Sequence, residues 1–175
     1  MIILETARLV LRLFNTTDAD FVVTLLNSPG WLQHIGDRGI RNTDDAIRWI
    51  HERPLAAQQH DGFSFYVVTE KSSGTALGIC GLIKRDSLPV TDIGYAFLES
   101  AQGKGYAREA AAGVMRYAQE VLKMQELMAI TSPVNTASNQ LLQKLGFTLQ
   151  EEKILDGETE LTRIYHIAFT NTEQH

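Results

Sequence analysis

The chain has 175 residues, 44% hydrophobic and 21% charged, so it is long and apolar enough to bury one substantial core. Its net charge of −5 lacks the basic excess of a general nucleic-acid-binding protein, so we expect no nucleic-acid partner. Cys80 is the single cysteine, which excludes an intrachain disulfide and suits a reducing cytoplasm, the expected location. No apolar run approaches the roughly 20 residues that a membrane-spanning helix needs, so we expect no membrane partner.

The hydrophobic pattern predicts seven strands and four helices, which we assign to one domain spanning residues 1–175. Strands are predicted over 8–14, 63–70, 76–84, 91–99, 126–131, 147–155 and 160–169, and helices over 19–27, 42–53, 106–122 and 135–146. The first helix is expected to begin with a capping box of Thr17 and Asp20, and the second to begin at the cap Thr43 and end before Pro54. Asn135 is the predicted cap of the last helix. This order of elements predicts an α+β or mixed α/β fold in which one sheet carries the helices.

A glycine-containing stretch, SAQGKGYAREAAAGVMRYAQE (100–120), connects the strand over 91–99 to the longest predicted helix. It is not a Walker A loop, because Gly105 rather than Ser or Thr follows Lys104, and it is not a dinucleotide fingerprint, because Arg108 stands at the third glycine position. Gly103 and Gly105 can take positive φ and leave backbone amides open to a ligand. Free N–H groups at the start of the helix would suit a diphosphate, although a plain turn into a buried helix explains two glycines equally well.

The segment QGKGYA (102–107) fits the pattern Q/R-x-x-G-x-G/A and resembles the acetyl-CoA signature of the GNAT superfamily of N-acetyltransferases. DIGYAFLES before it and NTASNQLLQKLGF after it are similar to the family's neighbouring strand and later helix. ETARLVLRLFNTTDADF and the loop HIGDRGIRNTDDA resemble the RimJ/RimL-like branch of ribosomal-protein N-terminal acetyltransferases. The resemblance covers nearly the whole chain. It implies the acyl-CoA N-acyltransferase fold, with a mostly antiparallel central sheet of about seven strands and about four flanking helices.

The resemblance also implies where acetyl-CoA, the expected co-substrate, would bind. In the family, backbone amides of the signature hold the coenzyme A pyrophosphate, and the preceding strand pairs with the pantetheine arm. Carried onto this chain, the cofactor-binding residues are Phe97, Leu98, Glu99, Gln102, Gly103, Lys104, Gly105, Tyr106, Ala107, Arg108, Asn135 and Asn139. The backbone N–H of Leu98 is the expected oxyanion donor to the thioester carbonyl. No metal is expected, because no His, Cys or Asp cluster has ligand spacing.

Ser138 is the predicted catalytic acid, because enzymes of the resembling family use Ser or Tyr at this point to protonate the departing thiolate. Leu141, Leu142 and Leu145 lie three, four and seven positions beyond it, so the helical period places Ser138 on the buried face. A hydrogen bond from its hydroxyl back to the carbonyl of Val134 would explain that position equally well.

Several other polar or reactive residues have simpler interpretations. For Tyr106, packing of the ring beside the loop is favoured over a role as a second acid, and Cys80 is interpreted as part of the core. Lys104 is as well explained by a solvated loop side chain as by a phosphate contact. Charged residues of the polar loop near the second helix that could select the acceptor are Asp37, Arg38 and Arg41.

The implied reaction is direct transfer of an acetyl group from acetyl-CoA to a primary amine of a protein N-terminus or a small molecule. No sequence feature identifies the base that accepts the proton; the candidates are Glu99, His34, Asp156, Glu158 and a water chain. A non-catalytic acyl-CoA-binding sensor is the alternative function. A phosphotransferase is disfavoured, because the stretch lacks the hydroxyl residue of a Walker A loop. We expect a monomer or a homodimer.

Overall fold

The computed structural model describes residues 1–169, which form eight strands and six α-helices. The strands are β1 (Ile2–Glu5), β2 (Leu9–Arg12), β3 (Phe65–Glu70), β4 (Ala76–Ile83), β5 (Asp92–Phe97), β6 (Glu126–Thr131), β7 (Thr148–Ile154) and β8 (Leu161–Ala168). The helices are α1 (Ala19–Leu26), α2 (Pro29–His34), α3 (Thr43–Ile50), α4 (Ala56–Asp61), α5 (Tyr106–Glu120) and α6 (Thr136–Lys144). Short 3-10 turns cover Thr16–Asp18 and Glu99–Ala101, and a π-helical turn over His51–Leu55 joins α3 to α4.

The eight strands form one sheet in the order β1-β2-β3-β4-β5-β6-β8-β7. Neighbouring strands are antiparallel except β5 and β6, which run parallel and are connected by α5. The predicted mixed fold with a mostly antiparallel sheet is therefore confirmed, with one strand more than expected. Strand β1 was not predicted, because it is four residues long and its run of Ile2, Ile3 and Leu4 shows no alternation.

Helices cover both faces of the sheet. On one face, α5 packs against β1, β2, β4 and β5 through small side chains that are fully buried: Ala110, Ala111, Val114 and Ala118. On the other face, a second core contains residues of α1, α2 and α3 together with Val67 and Ile79 of the sheet. Because side chains alternate along a strand, β5 contributes to both cores.

Two predicted helix starts are displaced. The capping box belongs to Asn15 and Asp18 rather than to Thr17 and Asp20: the Asn15 side chain accepts from the backbone of Thr17, and the Asp18 carboxylate accepts from the Asn15 N–H at 2.9 Å. The cap of α3 is likewise one residue earlier than predicted, because Asn42 accepts from a backbone N–H three positions on. Several Asn, Thr and Asp residues stand side by side at both starts, so composition alone does not select among them.

The helical segment that starts at α3 continues through Pro54, where the sequence predicted its end. Proline has no N–H to donate, and the wider turn over His51–Leu55 accommodates that missing donor, so α4 continues the segment to Asp61. It ends at Gly62, whose φ of 83° is the left-handed conformation that favours glycine. The neighbouring helix α2 was not predicted, because Pro29 was interpreted as a stop although it occupies the first helical turn.

The strands β5 and β6 pair over only part of their length. Their ladder joins Asp92 to Met128 and Ile93 to Ala129, although β5 continues to Phe97. Beyond Ile93 the two strands separate and open a gap in the middle of the sheet. Because α5 follows β5 and α6 follows β6, the N-terminal ends of both helices lie at the edge where the gap opens. This edge is where the predicted site residues meet.

Candidate active site

The loop before α5 presents a run of unused backbone amides. Gly103 and Gly105 have φ of 76° and 80°, so both take the left-handed conformation that the sequence led us to expect. The first hydrogen bond of α5 runs from the N–H of Glu109 to the carbonyl of Gly105, at 3.1 Å. Within residues 1–169, the N–H groups from Gly103 to Arg108 therefore have no acceptor. Such a cluster at a helix N-terminus is suited to an anion.

The run of free amides starts at Gly103, one residue later than the predicted start at Gln102. The N–H of Gln102 donates to the carbonyl of Glu99 at 3.1 Å and closes the 3-10 turn, so it is not free for a ligand. Its side chain instead donates to the carbonyl of Phe97 at 3.1 Å and ties the loop to the end of β5. Tyr106 packs its ring in the core beside the loop, as predicted, and its hydroxyl donates to Glu70 at 3.2 Å.

The assignment of the oxyanion donor to Leu98 is wrong. The N–H of Leu98 donates to the carbonyl of Leu77 on β4 at 3.0 Å, and β5 itself ends at Phe97, before Leu98 and Glu99. N–H groups alternate sides along a strand, so those of Tyr95 and Phe97 face away from β4, towards the gap. In the part of the chain that the structure describes, β6 offers no partner beyond Ile93, so these two amides of β5 are free.

Ser138 lies in the first turn of α6 and reaches towards β5. Its hydroxyl oxygen is hydrogen-bonded to the hydroxyl of Tyr95 at 2.9 Å, and we find no bond to the carbonyl of Val134 among residues 1–169. Burial raises the pKa of Tyr95 to about 12, an effect only partly offset by its bond to Ser138. The two hydroxyl groups therefore link α6 to β5 at Tyr95, beyond the point where β5 and β6 separate.

Of the two asparagines at the start of α6, only Asn135 has its predicted role. Asn135 is the N-cap, as expected, because its side chain accepts from the N–H of Ser138 at 3.2 Å. Asn139 was expected to contact pantetheine, but its oxygen accepts from the Tyr165 hydroxyl at 2.6 Å and its nitrogen donates to the carbonyl of Asn135 at 2.8 Å. With both polar atoms engaged and 6% of the residue exposed, Asn139 joins α6 to β8 rather than to a ligand.

Comparison with known proteins identifies the family. A model of the acetyltransferase (GNAT) domain matches residues 8–148. The chain belongs to the GNAT acetyltransferase family. It is accordingly an acetyl-CoA-dependent acetyltransferase. The uncharacterized N-acetyltransferase p20 of Bacillus licheniformis is 30% identical to this GNAT chain over 156 residues, which cover 87% of the chain and 84% of p20.

Solved structures share the fold of this GNAT chain. RimL, a ribosomal alpha-N-protein acetyltransferase solved in complex with coenzyme A, matches with a TM-score of 0.81 and 18% identity, covering 96% of this chain and 98% of RimL. MccE, a microcin self-immunity acetyltransferase solved with acetyl-CoA and AMP, matches with a TM-score of 0.79 and 18% identity, covering 94% of each chain.

The remaining candidates fall into structural or exposed positions. Cys80 is fully buried in the core, and burial raises the pKa of its thiol, which agrees with a packing role. Asp37 forms an ion pair with Arg41 in the exposed loop after α2. Within residues 1–169 there is no group of three His, Cys, Asp or Glu side chains that could hold a metal ion, and no helix there is long and apolar enough to span a membrane.

Sequence reasoning missed Asp92, the first residue of β5. Its side chain is 1% exposed; one oxygen accepts from Arg85 at 2.9 Å, and the other has no hydrogen-bond partner in the described chain. Burial raises the pKa of Asp92 to about 6, against the opposing effect of Arg85. The one feature of the sequence that could have revealed Asp92 is an acidic residue at the start of an otherwise apolar strand. Two further buried atoms without partners in residues 1–169, Trp31 Nε1 and His34 Nδ1, lie on α2, which was also missed.

The stability of the GNAT fold should depend on pH through Asp92. Because its pKa is higher in the folded than in the unfolded chain, the folded state binds more protons between about pH 4 and 6. This residue's contribution to the free energy of unfolding should therefore fall as pH rises through that window, by about 3 kcal/mol for a two-unit difference. Urea unfolding of the wild type and of Asp92→Asn at several pH values measures this change in the free energy of unfolding. Parallel profiles for the two proteins would contradict the assignment.

Proposed function

We propose that this GNAT protein moves the acetyl group of acetyl-CoA directly to a primary amine and belongs to the RimJ/RimL-like branch. The observation that carries the proposal is the arrangement of unpaired backbone amides on both sides of one opening. One set spans Gly103 to Arg108 at the start of α5, and the other consists of Tyr95 and Phe97 on β5. The hydroxyl of Ser138 contacts the side chain of Tyr95, whose backbone amide belongs to the second set.

The first set of amides is suited to the diphosphate of acetyl-CoA. N–H groups from Gly103 to Arg108 point outward from a helix end that carries partial positive charge. Each such interaction is modest, about 0.3–1 kcal/mol for a single charge at an exposed helix end, so several amides must act together. The exposed side chains of Lys104 and Arg108 add positive charge around the loop.

The second set of amides is suited to the pantetheine arm and to the thioester. The gap beyond Ile93 leaves the hydrogen-bonding edge of β5 open, so an extended amide chain can pair with it as a strand would. When bound, acetyl-CoA supplies the thioester carbon that the acceptor amine attacks. We assign stabilisation of the charge on the carbonyl oxygen to the N–H of Tyr95 or Phe97, in place of the Leu98 N–H.

Protons must both leave the amine and reach the sulfur. Ser138 is the proposed donor to the departing sulfur, and Tyr95 holds the serine oxygen in place through the 2.9 Å bond. The acceptor of the amine proton stays among the candidates Glu99, His34, Asp156, Glu158 and a water chain, because Asp92 is 1% exposed and points to the face of the sheet opposite Tyr95.

The acceptor is a protein N-terminus or a small amine. The name of RimL, which shares the fold, favours a protein N-terminus as the acceptor. A non-catalytic acyl-CoA sensor is not favoured, because the paired hydroxyls of Ser138 and Tyr95 have no role in binding alone.

Two assays test the proposal in sequence. Ligand at 100 times its dissociation constant adds about 2.7 kcal/mol of stability, so acetyl-CoA should raise the melting temperature while ATP and NAD leave it unchanged. Thiol release from acetyl-CoA should then appear when a panel of N-terminal peptides, polyamines and aminoglycosides is added. Stabilisation by nucleotides alone would refute acetyl-CoA binding, and stabilisation without thiol release from any amine would support the sensor.

A further inference from the structure

Glu109 places a carboxylate in the first turns of α5, close in sequence to the free amides from Gly103 to Arg108. A carboxylate near a helix N-terminus is attracted to the same N–H groups and the same partial positive charge that attract a phosphate. Left unrestrained, this side chain would compete with an anionic ligand for the amides.

The Glu109 carboxylate is instead held by the turn between β1 and β2. One oxygen accepts from Arg8 Nε at 2.7 Å, and the other accepts from the Arg8 backbone N–H at 2.9 Å and from the hydroxyl of Thr6. Burial raises the pKa of Glu109, but the bonds from Thr6 and Arg8 outweigh it and leave the pKa below its ordinary value. The group is therefore a carboxylate with both oxygens occupied.

Arg8 contacts the amide loop as well. Its Nη1 donates to the carbonyl of Lys104 at 3.0 Å, and its guanidinium lies 4.5 Å from the ring centre of Tyr106, the first residue of α5. A Cβ added to Gly105 would lie 3.3 Å from Arg8 Nη2. One side chain thus bonds the competing carboxylate and the carbonyl of the loop that carries the free amides.

We propose that Arg8 is a positioning residue that keeps the amides from Gly103 to Arg108 open by binding the Glu109 carboxylate away from them. The proposal rests on the proposed binding of acetyl-CoA at these amides. In Arg8→Ala, Glu109 loses the Nε donor to one oxygen and keeps the backbone N–H of residue 8 and the Thr6 hydroxyl on the other, so the freed oxygen becomes an internal competitor for the site. If Arg8 acted only as a cation that attracts the diphosphate, replacing Glu109 in addition to Arg8 would not restore binding.

The test is the dissociation constant of coenzyme A, measured by calorimetry for the wild type, Arg8→Ala, Glu109→Gln and the double variant. Arg8→Ala should weaken binding by about fivefold, the upper end of what a helix-end charge interaction contributes. Glu109→Gln alone should change binding by less than about threefold, and adding it to Arg8→Ala should restore binding to within about threefold of the wild type.

Each result has one interpretation. A double variant as weak as Arg8→Ala overturns the proposal and assigns Arg8 to direct attraction of the ligand. Should Arg8→Ala not fold, Arg8→Lys replaces it: an ammonium cannot bond Glu109 and the Lys104 carbonyl in the same fork, so weakened binding that Glu109→Gln restores is still expected. No binding of coenzyme A by the wild type would refute the proposed function instead.

Discussion

Replacing Ser138 with alanine is expected to lower kcat by about 10²–10⁴-fold, the range that positioned acids contribute, while KM for acetyl-CoA changes little. The hydroxyl is hydrogen-bonded to the hydroxyl of Tyr95 on β5 at 2.9 Å, and its loss removes the proposed donor to the departing sulfur. Steady-state kinetics with the best amine of the panel measures both constants.

Two variants separate this role from a structural one. Tyr95→Phe should lower kcat less than Ser138→Ala, because the serine oxygen remains and loses only its hydrogen-bond partner. Thr136→Ala removes an exposed hydroxyl from the same turn of α6 and should leave kcat unchanged. A Ser138→Ala enzyme with wild-type kcat would reduce the serine to a packing residue of α6.

Gly105→Val is expected to weaken acetyl-CoA binding by about tenfold or more. At φ of 80° a side chain is strained, and a residue forced into the left-handed region costs roughly 1–2 kcal/mol, so the loop will shift and displace its amides. The added Cβ also approaches Arg8 Nη2, which bonds the loop. Titration with coenzyme A, followed by calorimetry, gives the change.

Gly157→Val is the matched control for backbone strain. Gly157 has a similar φ of 85° and open space around its Cα, but it lies in the turn between β7 and β8. Both variants should lose stability, whereas only Gly105→Val should lose affinity for coenzyme A. Equal affinity in the two variants would remove the loop from the binding site.

Much of the fold could be predicted from the sequence because the hydrophobic residues of its helices and strands recur at regular spacing. The strand at Glu126–Thr131 matches its predicted bounds, and α5 begins at Tyr106, as the change of period and the glycines before it indicate. By contrast, β1 is too short to show a period, and the π-helical turn at Pro54 depends on tertiary packing that tolerates a missing donor.

The parts of the site that depend on the order of residues along the chain could be predicted. The parts that depend on the pairing register of β5 could not. The amide loop follows from glycines at fixed spacing before a helix. Which N–H of β5 is free depends on the side that each residue turns to β4, and a shift of one residue exchanges Leu98 for Phe97. Asn139 was misjudged because its partner Tyr165 comes from another element of the fold. Asp92 was missed for the same reason, since its partner is Arg85.

The most direct test of the account is amide NMR of the ¹⁵N-labelled protein during titration with coenzyme A. The account predicts that the amide protons from Gly103 to Arg108, with those of Tyr95 and Phe97, shift as they acquire acceptors. The amide of Leu98, already bonded to Leu77, should shift far less. Saturable binding that perturbs amides elsewhere and leaves Gly103 to Arg108 unmoved would contradict the account.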